Sequence, residues 1–186
     1  MSQKQHVVAV LGTGSIGMRH LGALRTAGAK VVAIPVRESR RAELEHEGLV
    51  TVSSLSQAAL IGVGGVVVAT DTSRHAADAA EVLKLGIKVL CEKPLALSVE
   101  DARILFEIPG AAENLRVAQC LRFDEGLNAF KRFIPEAGAI HSIRVECRSY
   151  LPDWRPGRDQ REGYQSRAAE GGVLRDPIHD VDYTVW

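Results

Sequence analysis

The stretch Val10–His20, VLGTGSIGMRH, decides how this chain is read. It spaces Gly12, Gly14 and Gly17 as G-x-G-x-x-G, with Thr13, Ser15 and Ile16 between them. Many loops share that spacing, so its setting has to carry the argument. Upstream, HVVAVLG (6–12) is a nearly unbroken run of the kind buried on both faces of a parallel sheet. Downstream, Ile16, Ala23, Leu24 and Ala27 recur at helical spacing, and Gly28 supplies a stop. AKVVAIPV (29–36) then reads as a second strand. Strand, helix and strand within about 30 residues make a βαβ unit with a right-handed crossover.

In that setting each glycine has a physical role. The first permits a tight turn, the second leaves room for a pyrophosphate against the backbone, and the third allows close helix–strand packing. The helix N-terminus offers free N–H groups and a positive dipole end to phosphates. The stretch therefore reads as a dinucleotide-binding turn. An NAD-preferring site usually has Asp or Glu at the end of the second strand. Here Val36 falls near that position, followed by Arg37, Ser39, Arg40 and Arg41. Guanidinium forks and a hydroxyl suit a 2′-phosphate, so NADP is the expected cofactor, held near Arg37, Ser39 and Arg40. Glu38 keeps NAD open, and Arg40 and Arg41 could equally lie on a solvated helix face.

The alternation continues with helices expected over 38–48, 53–62, 73–86 and 98–108, and strands over 49–52, 64–70, 88–94 and 114–123. Such alternation implies an α/β fold with a doubly wound parallel sheet of the Rossmann type. From about Phe123 the character changes. An amphipathic helix (125–134) and a long, partly alternating strand (138–151) precede a loop rich in Arg, Asp and aromatic residues. The expected organisation is a dinucleotide-binding domain over 1–122 and the incomplete start of an α+β substrate domain over 123–186.

Composition narrows the function classes. Of 186 residues 46% are hydrophobic and 25% charged, enough to bury a core and unlike a disordered chain. Lys plus Arg equals Asp plus Glu at 23 each, so no overall field draws nucleic acid or an anionic membrane. LIGVGGVVVA (60–69) falls short of the roughly 20 apolar residues of a membrane span. The N-terminus lacks the pattern of a signal peptide. Cys91, Cys120 and Cys147 are odd in number and far apart, which suits neither a disulfide framework nor a metal set. Free thiols in a reducing cytoplasm are expected.

Ligands of open parallel sheets gather at the carboxyl ends of the strands. ATDTSRH (69–75), with Thr70, Thr72 and His75, follows one strand and could line the nicotinamide ribose or simply cap the next helix. CEKP (91–94), with Glu92 and Lys93, follows the next; Lys93 is either an ammonium aimed over the nicotinamide or an ordinary surface lysine. Asp176, His179 and Asp182 stand at three-residue intervals, which puts them on roughly one helical face. They are a tunable acid/base with flanking carboxylates, or helix caps. No cysteine or second histidine stands nearby to suggest zinc.

GTGSIGMRH, ATDTSRHAADAAEVLKLGIKVLCEKPLAL and GGVLRDPIHDVDYTVW together resemble the glucose–fructose oxidoreductase / inositol dehydrogenase / rhizopine catabolism (Gfo/Idh/MocA) family. E-K-P at that distance from the glycines is far more specific than the glycines alone. The resemblance implies an NAD(P)-dependent oxidoreductase that interconverts a secondary alcohol and a ketone by hydride transfer on a sugar or sugar-nucleotide-like substrate. It implies that Lys93 holds and polarises the reacting oxygen, that His179 is the general acid/base and that Asp176 orients or assists it. The cofactor would be met by Gly12, Gly14, Ser15, Ile16, Gly17, Thr70, Thr72, His75, Glu92 and Lys93. SYLPDWRPGRDQREGYQS resembles the branch associated with surface polysaccharides and sugar nucleotides. On that likeness Arg122, Trp154, Arg155, Arg158, Arg161, Tyr164 and His179 are candidates for a substrate wall.

The D-x-x-H spacing is one residue shorter than the family's commoner one, which bears on Asp176 more than on His179. Family members continue well past the position of Trp186 into an open antiparallel sheet. The second domain is therefore expected to be incomplete, with a homo-oligomer where the full sheet exists. The alternative function is a dinucleotide-binding module or sensor without turnover, or a non-functional fragment.

Overall fold

Short β-branched runs form five parallel strands: β1 (Val7–Leu11), β2 (Lys30–Ile34), β3 (Gly65–Val68), β4 (Lys88–Cys91) and β5 (Leu115–Val117). Their order in the sheet is β2-β1-β3-β4-β5. The computed structural model describes residues 7–154, 157, 159, 167, 171, 172, 175 and 177–186. It divides into two compact units, Met1–Ala118 and Gln119–Trp186.

In the first unit, α1 (Ser15–Thr26), α2 (Glu38–His46), α3 (Leu55–Leu60), α4 (His75–Lys84), α5 (Val99–Phe106) and α6 (Ala111–Asn114) connect the strands. Successive strand residues point to opposite faces. Ala9 and Leu11 of β1 and Val66 and Val68 of β3 join Leu55, Ala79, Val82 and Leu105 on one face. Val10 and Val67 join Leu21 of α1 and Leu44 of α2 on the other. Helices thus cover both faces, as the continuous apolar strands require. The chain runs from β1 to β2 on one side and crosses to β3 on the other, which places the sheet's switch point between the carboxyl ends of β1 and β3.

Three local expectations are corrected. First, α1 begins at Ser15, so that Gly17 lies inside it, and its core-facing residues are Gly17 and Leu21 with Met18 and Leu24 beside them. Ile16, Ala23 and Ala27 are exposed. The close contact of Gly17 with the strand end sets the helix phase, and only Leu24 of the expected stripe shares it. Second, 49–52 is not a strand: Thr51 makes a single parallel bridge to Ala33, flanked by Ala33 N–H to Val50 O and Val52 N–H to Ala33 O.

The third correction concerns the second unit. It contains a 3₁₀ turn (Cys120–Phe123), α7 (Glu125–Phe133), further 3₁₀ turns (Ile134–Ala137 and Leu151–Trp154) and α8 (Ile178–Val185). The strand expected over 138–151 does not form: residues 140–150 lie outside any strand or helix and are exposed. Alternation favours a strand only where a neighbour completes the ladder, and the described residues of this unit provide none. Among the described residues, every buried hydrophobic side chain lies at or before Leu115.

Candidate functional site

The three glycines of the turn differ in what surrounds them. Gly12 has φ +90°, and a Cβ there would stand 2.5 Å from Ala69 O, at the end of β3. Its N–H donates to Ile34 O at 3.0 Å, tying the turn to β2. A Cβ on Gly17 would overlap the Gly12 carbonyl oxygen. Gly14 is extended backbone at the N-cap of α1, and a Cβ there would meet nothing within 4 Å. No side chain caps α1, and its first turn has no acidic residue. Ser54 caps α3 and Ser98 caps α5, accepting from Gln57 and Asp101 N–H at 3.1 and 3.0 Å, whereas α2, α4, α6 and α8 share with α1 the lack of a side-chain cap. The open space at Gly14 and the unpaired donors of α1 fit the phosphates of a dinucleotide.

Beside the turn is a cleft of about 230 Å³, lined in part by Leu11, Pro35, Val36, Ser54, Arg74 and Asp78. Arg37, exposed at the N-cap of α2, has no ion-pair partner among the described residues. Ser39 is exposed. Arg40 Nη1 lies 2.7 Å from Glu43 Oε2 and Arg41 Nε 3.1 Å from Glu45 Oε1, along the solvated face of α2.

After β3, Thr70 Oγ1 donates to Asp78 Oδ2 at 2.7 Å, and Arg74 Nη2 donates to Asp78 Oδ1 at 3.0 Å. Thr72 and His75 are buried. The His75 ring lies between Pro94 O, 2.7 Å from Nδ1, and Thr70 O, 3.1 Å from Nε2, so it bridges the ATDTSRH and CEKP segments. No side chain caps α4, so Thr72 and Ser73 do not serve as its caps. Asp78 and Arg74 belong to no motif; their only local signal is an Arg–Asp pair at i and i+4 just after a strand end.

After β4, Glu92 N–H donates to Val68 O at 2.9 Å. The Glu92 carboxylate meets His20 Nε2 at 2.7 Å through Oε1 and accepts the Lys93 N–H at 3.1 Å through Oε2. Burial alone would push this carboxyl up, but those two hydrogen bonds and the charges of His20 and Lys93 outweigh it and hold it below the usual range. Lys93 is half-buried. Burial, then the charges of Glu92 and Asp78, push the Cys91 thiol up to about 12.

In the second unit, α8 carries His179 and Asp182 and has no side-chain cap, so neither residue acts as one. His179 Nδ1 donates to Gln119 Oε1 at 3.1 Å, and Cys120 Sγ lies 3.8 Å from Nε2. An Nδ1–H donated to the Gln119 side-chain carbonyl suits the tautomer in which Nε2 carries no proton. Arg122 forms a fork on Asp182, at 2.8 and 2.7 Å. That fork is the main cause holding the Asp182 carboxyl below the usual range. Lys131 Nζ stands 3.7 Å over the Trp186 ring. Asp176, Arg155, Arg158, Arg161 and Tyr164 lie outside the described residues, as does the side chain of Trp154. Gln119 and Cys120, the neighbours of His179, lie about 60 residues from it and carry no local signal of that contact. Among the described residues no His, Cys, Asp and Glu cluster could hold a metal, and no helix is long and apolar enough to cross a membrane.

A parallel sheet with a glycine turn at its switch point and an open helix N-terminus behind it defines a Rossmann nucleotide-binding domain. The chain belongs to the Gfo/Idh/MocA oxidoreductase family: residues 7–118 match its NAD-binding Rossmann fold. It is 31% identical over 186 residues to inositol 2-dehydrogenase 3 of Saccharopolyspora erythraea, covering 96% of this chain and 52% of that protein. An NAD-binding protein from Listeria innocua shares the fold with a TM-score of 0.73 at 20% identity, over 98% of this chain and 54% of its own. The WlbA dehydrogenase of Chromobacterium violaceum, solved with NADH and UDP-GlcNAcA, has a TM-score of 0.64 at 25% identity. The match covers 73% of this chain and 41% of that one. The chain spans about half the length of the curated relatives it matches.

Proposed function

We propose that this chain acts in an NAD(P)-dependent oxidoreductase that interconverts a secondary alcohol and a ketone on a sugar or sugar-nucleotide-like substrate. The observation that carries the reading is the vacant approach to Gly14 at the uncapped start of α1, on the same strand-end edge of the sheet as Lys93. Gly12, Gly14, Ser15, Ile16 and Gly17 would hold the pyrophosphate. Thr70, Thr72, His75 and Glu92 would shape the nicotinamide side. A bound nicotinamide supplies the acceptor or donor of hydride.

The chain's own residues would manage the oxygen and its proton. Lys93 would hold the substrate's reacting oxygen by its ammonium and polarise it. His179, with Nδ1–H committed to Gln119, would take the hydroxyl proton at Nε2 during oxidation and return it during reduction. Asp176 would assist His179. NADP is the preferred cofactor, because Val36 stands where a ribose-binding carboxylate would and Arg37, which has no ion-pair partner among the described residues, follows it. Trp154, Arg155, Arg161 and Tyr164 would form the substrate wall, with Arg122 reaching it if it leaves Asp182. The nucleotide sugar acid held by WlbA makes that substrate class the first to try. The odd, separated thiols suit work in the reducing cytoplasm.

The experiment is an assay of NADP and NAD reduction by the purified chain with cyclitols, aldoses and nucleotide sugars. Turnover is expected with a member of that panel and should fall at least about 100-fold in Lys93→Ala. Absence of turnover across the panel, or full activity in the variant, overturns the reading.

A further inference from the structure

The Glu92 carboxylate has no part in the proton chemistry proposed above, yet both its oxygens are engaged: Oε1 with His20 Nε2 at 2.7 Å, and Oε2 with the Lys93 N–H at 3.1 Å. The pair is largely shielded, the side chains of His20 and Glu92 being 22% and 13% exposed. His20 stands one turn beyond Gly17 on α1, the helix whose N-terminus faces the phosphate space. Glu92 immediately precedes Lys93, and its own N–H is fixed to Val68 O at the end of β3. The backbone of this segment is therefore held by the sheet, while the carboxylate is held by α1. A shielded carboxylate without a donor is unfavourable, so the imidazole determines which way Glu92 turns.

We propose that His20 is a positioning residue: by fixing the Glu92 carboxylate against α1 it sets where that charge lies relative to the adjacent Lys93, so that the helix receiving the dinucleotide's phosphates also governs the lysine's electrostatic surroundings. The role of Lys93 rests on the oxidoreductase reading; the coupling itself does not. Loss of the imidazole leaves the carboxylate to seek another donor, and the ammonium of the adjacent Lys93 is the cation closest in sequence. A carboxylate brought onto an ammonium favours the protonated amine, which acylating reagents do not attack. Glutamine at position 20 keeps an N–H donor at nearly the reach of Nε2.

The test measures acetylation of Lys93 in the ligand-free chain at mildly alkaline pH, by peptide mass spectrometry, with thermal unfolding recorded for each variant. His20→Leu should slow labelling of Lys93 by roughly three- to tenfold relative to the chain's other lysines. His20→Gln should restore it to within about twofold of wild type. A purely structural histidine would lower the unfolding temperature while Lys93 in the folded chain reacts at the same rate in all three proteins, and that result overturns the proposal. If His20→Leu does not fold, Glu92→Gln decides: Lys93 should react faster there, and an unchanged rate overturns the proposal. Wild-type chain titrated in parallel with NADPH separates the two claims. Failure to bind overturns the oxidoreductase reading, while the labelling comparison still decides the positioning role.

Discussion

Gly17 lies so close beneath Gly12 that a Cβ on it would overlap the Gly12 carbonyl oxygen, whereas a Cβ on Gly14 would meet no protein atom within 4 Å. The first contact belongs to folding; the second opening is where the proposed dinucleotide would approach the start of α1. Gly17→Ala should therefore cost about 1–3 kcal/mol of stability, the usual range for forcing extra volume into a packed site. Gly14→Ala should unfold within a few degrees of wild type and yet weaken dinucleotide binding roughly tenfold or more. Thermal unfolding and ligand titration of both variants check this, and a reversed pattern would contradict it.

The proposed preference for NADP rests on Arg37. A charge-assisted hydrogen bond contributes about 1.5–3 kcal/mol, so Arg37→Ala should weaken NADP binding by roughly 10- to 100-fold. NAD, which has no 2′-phosphate, should change by about twofold or less. Isothermal titration with both dinucleotides reads the difference, and equal losses would refute the assignment. Arg40→Ala should have the smaller effect, because its guanidinium is already paired with Glu43.

Thiol reactivity gives a test independent of function. Cys120 and Cys147 are exposed, while Cys91 is buried with its thiol pushed up to about 12. A disulfide reagent near neutral pH should modify the two exposed thiols in the native chain and reach Cys91 only after denaturation. Rapid native modification of all three would contradict the core packing.

Much of this architecture is legible in the sequence. The β-branched runs that form β1 to β4 read as strands buried on both faces, and their alternation with helices implies the parallel winding. The phase of α1 was not legible, since Ile16, Ala23 and Ala27 are as helical in spacing as Gly17, Leu21 and Leu24. Only the contact of Gly17 with the strand end chooses between them. The alternation of 138–151 was readable, but the existence of a partner strand is not written in the segment itself. Lys93 and His179 stood out by their motifs. The bond between His20 and Glu92 spans 72 residues of sequence, and nothing local to either residue announces it.

That same bond sets a pH dependence. The Glu92 carboxyl is raised by burial but brought below its ordinary range by its hydrogen bonds to His20 and the Lys93 N–H. It therefore binds a proton more weakly in the folded chain than in the unfolded one. Its contribution is complete above the unfolded carboxylate value of about 4.3 and is lost as the pH falls through the lower folded value. Between about pH 6 and about pH 3 the wild type should lose more stability than Glu92→Gln, as read by urea unfolding. Equal losses would show that the carboxylate is not held as described.

The most direct measurement is an equilibrium titration of the wild-type chain and Gly14→Val with NADPH, followed by nicotinamide fluorescence. The wild type should saturate, and the folded Gly14→Val, whose side chain fills the approach to α1, should not. A wild-type chain that never saturates, or a valine variant that binds as tightly, would contradict the placement of a dinucleotide at this turn.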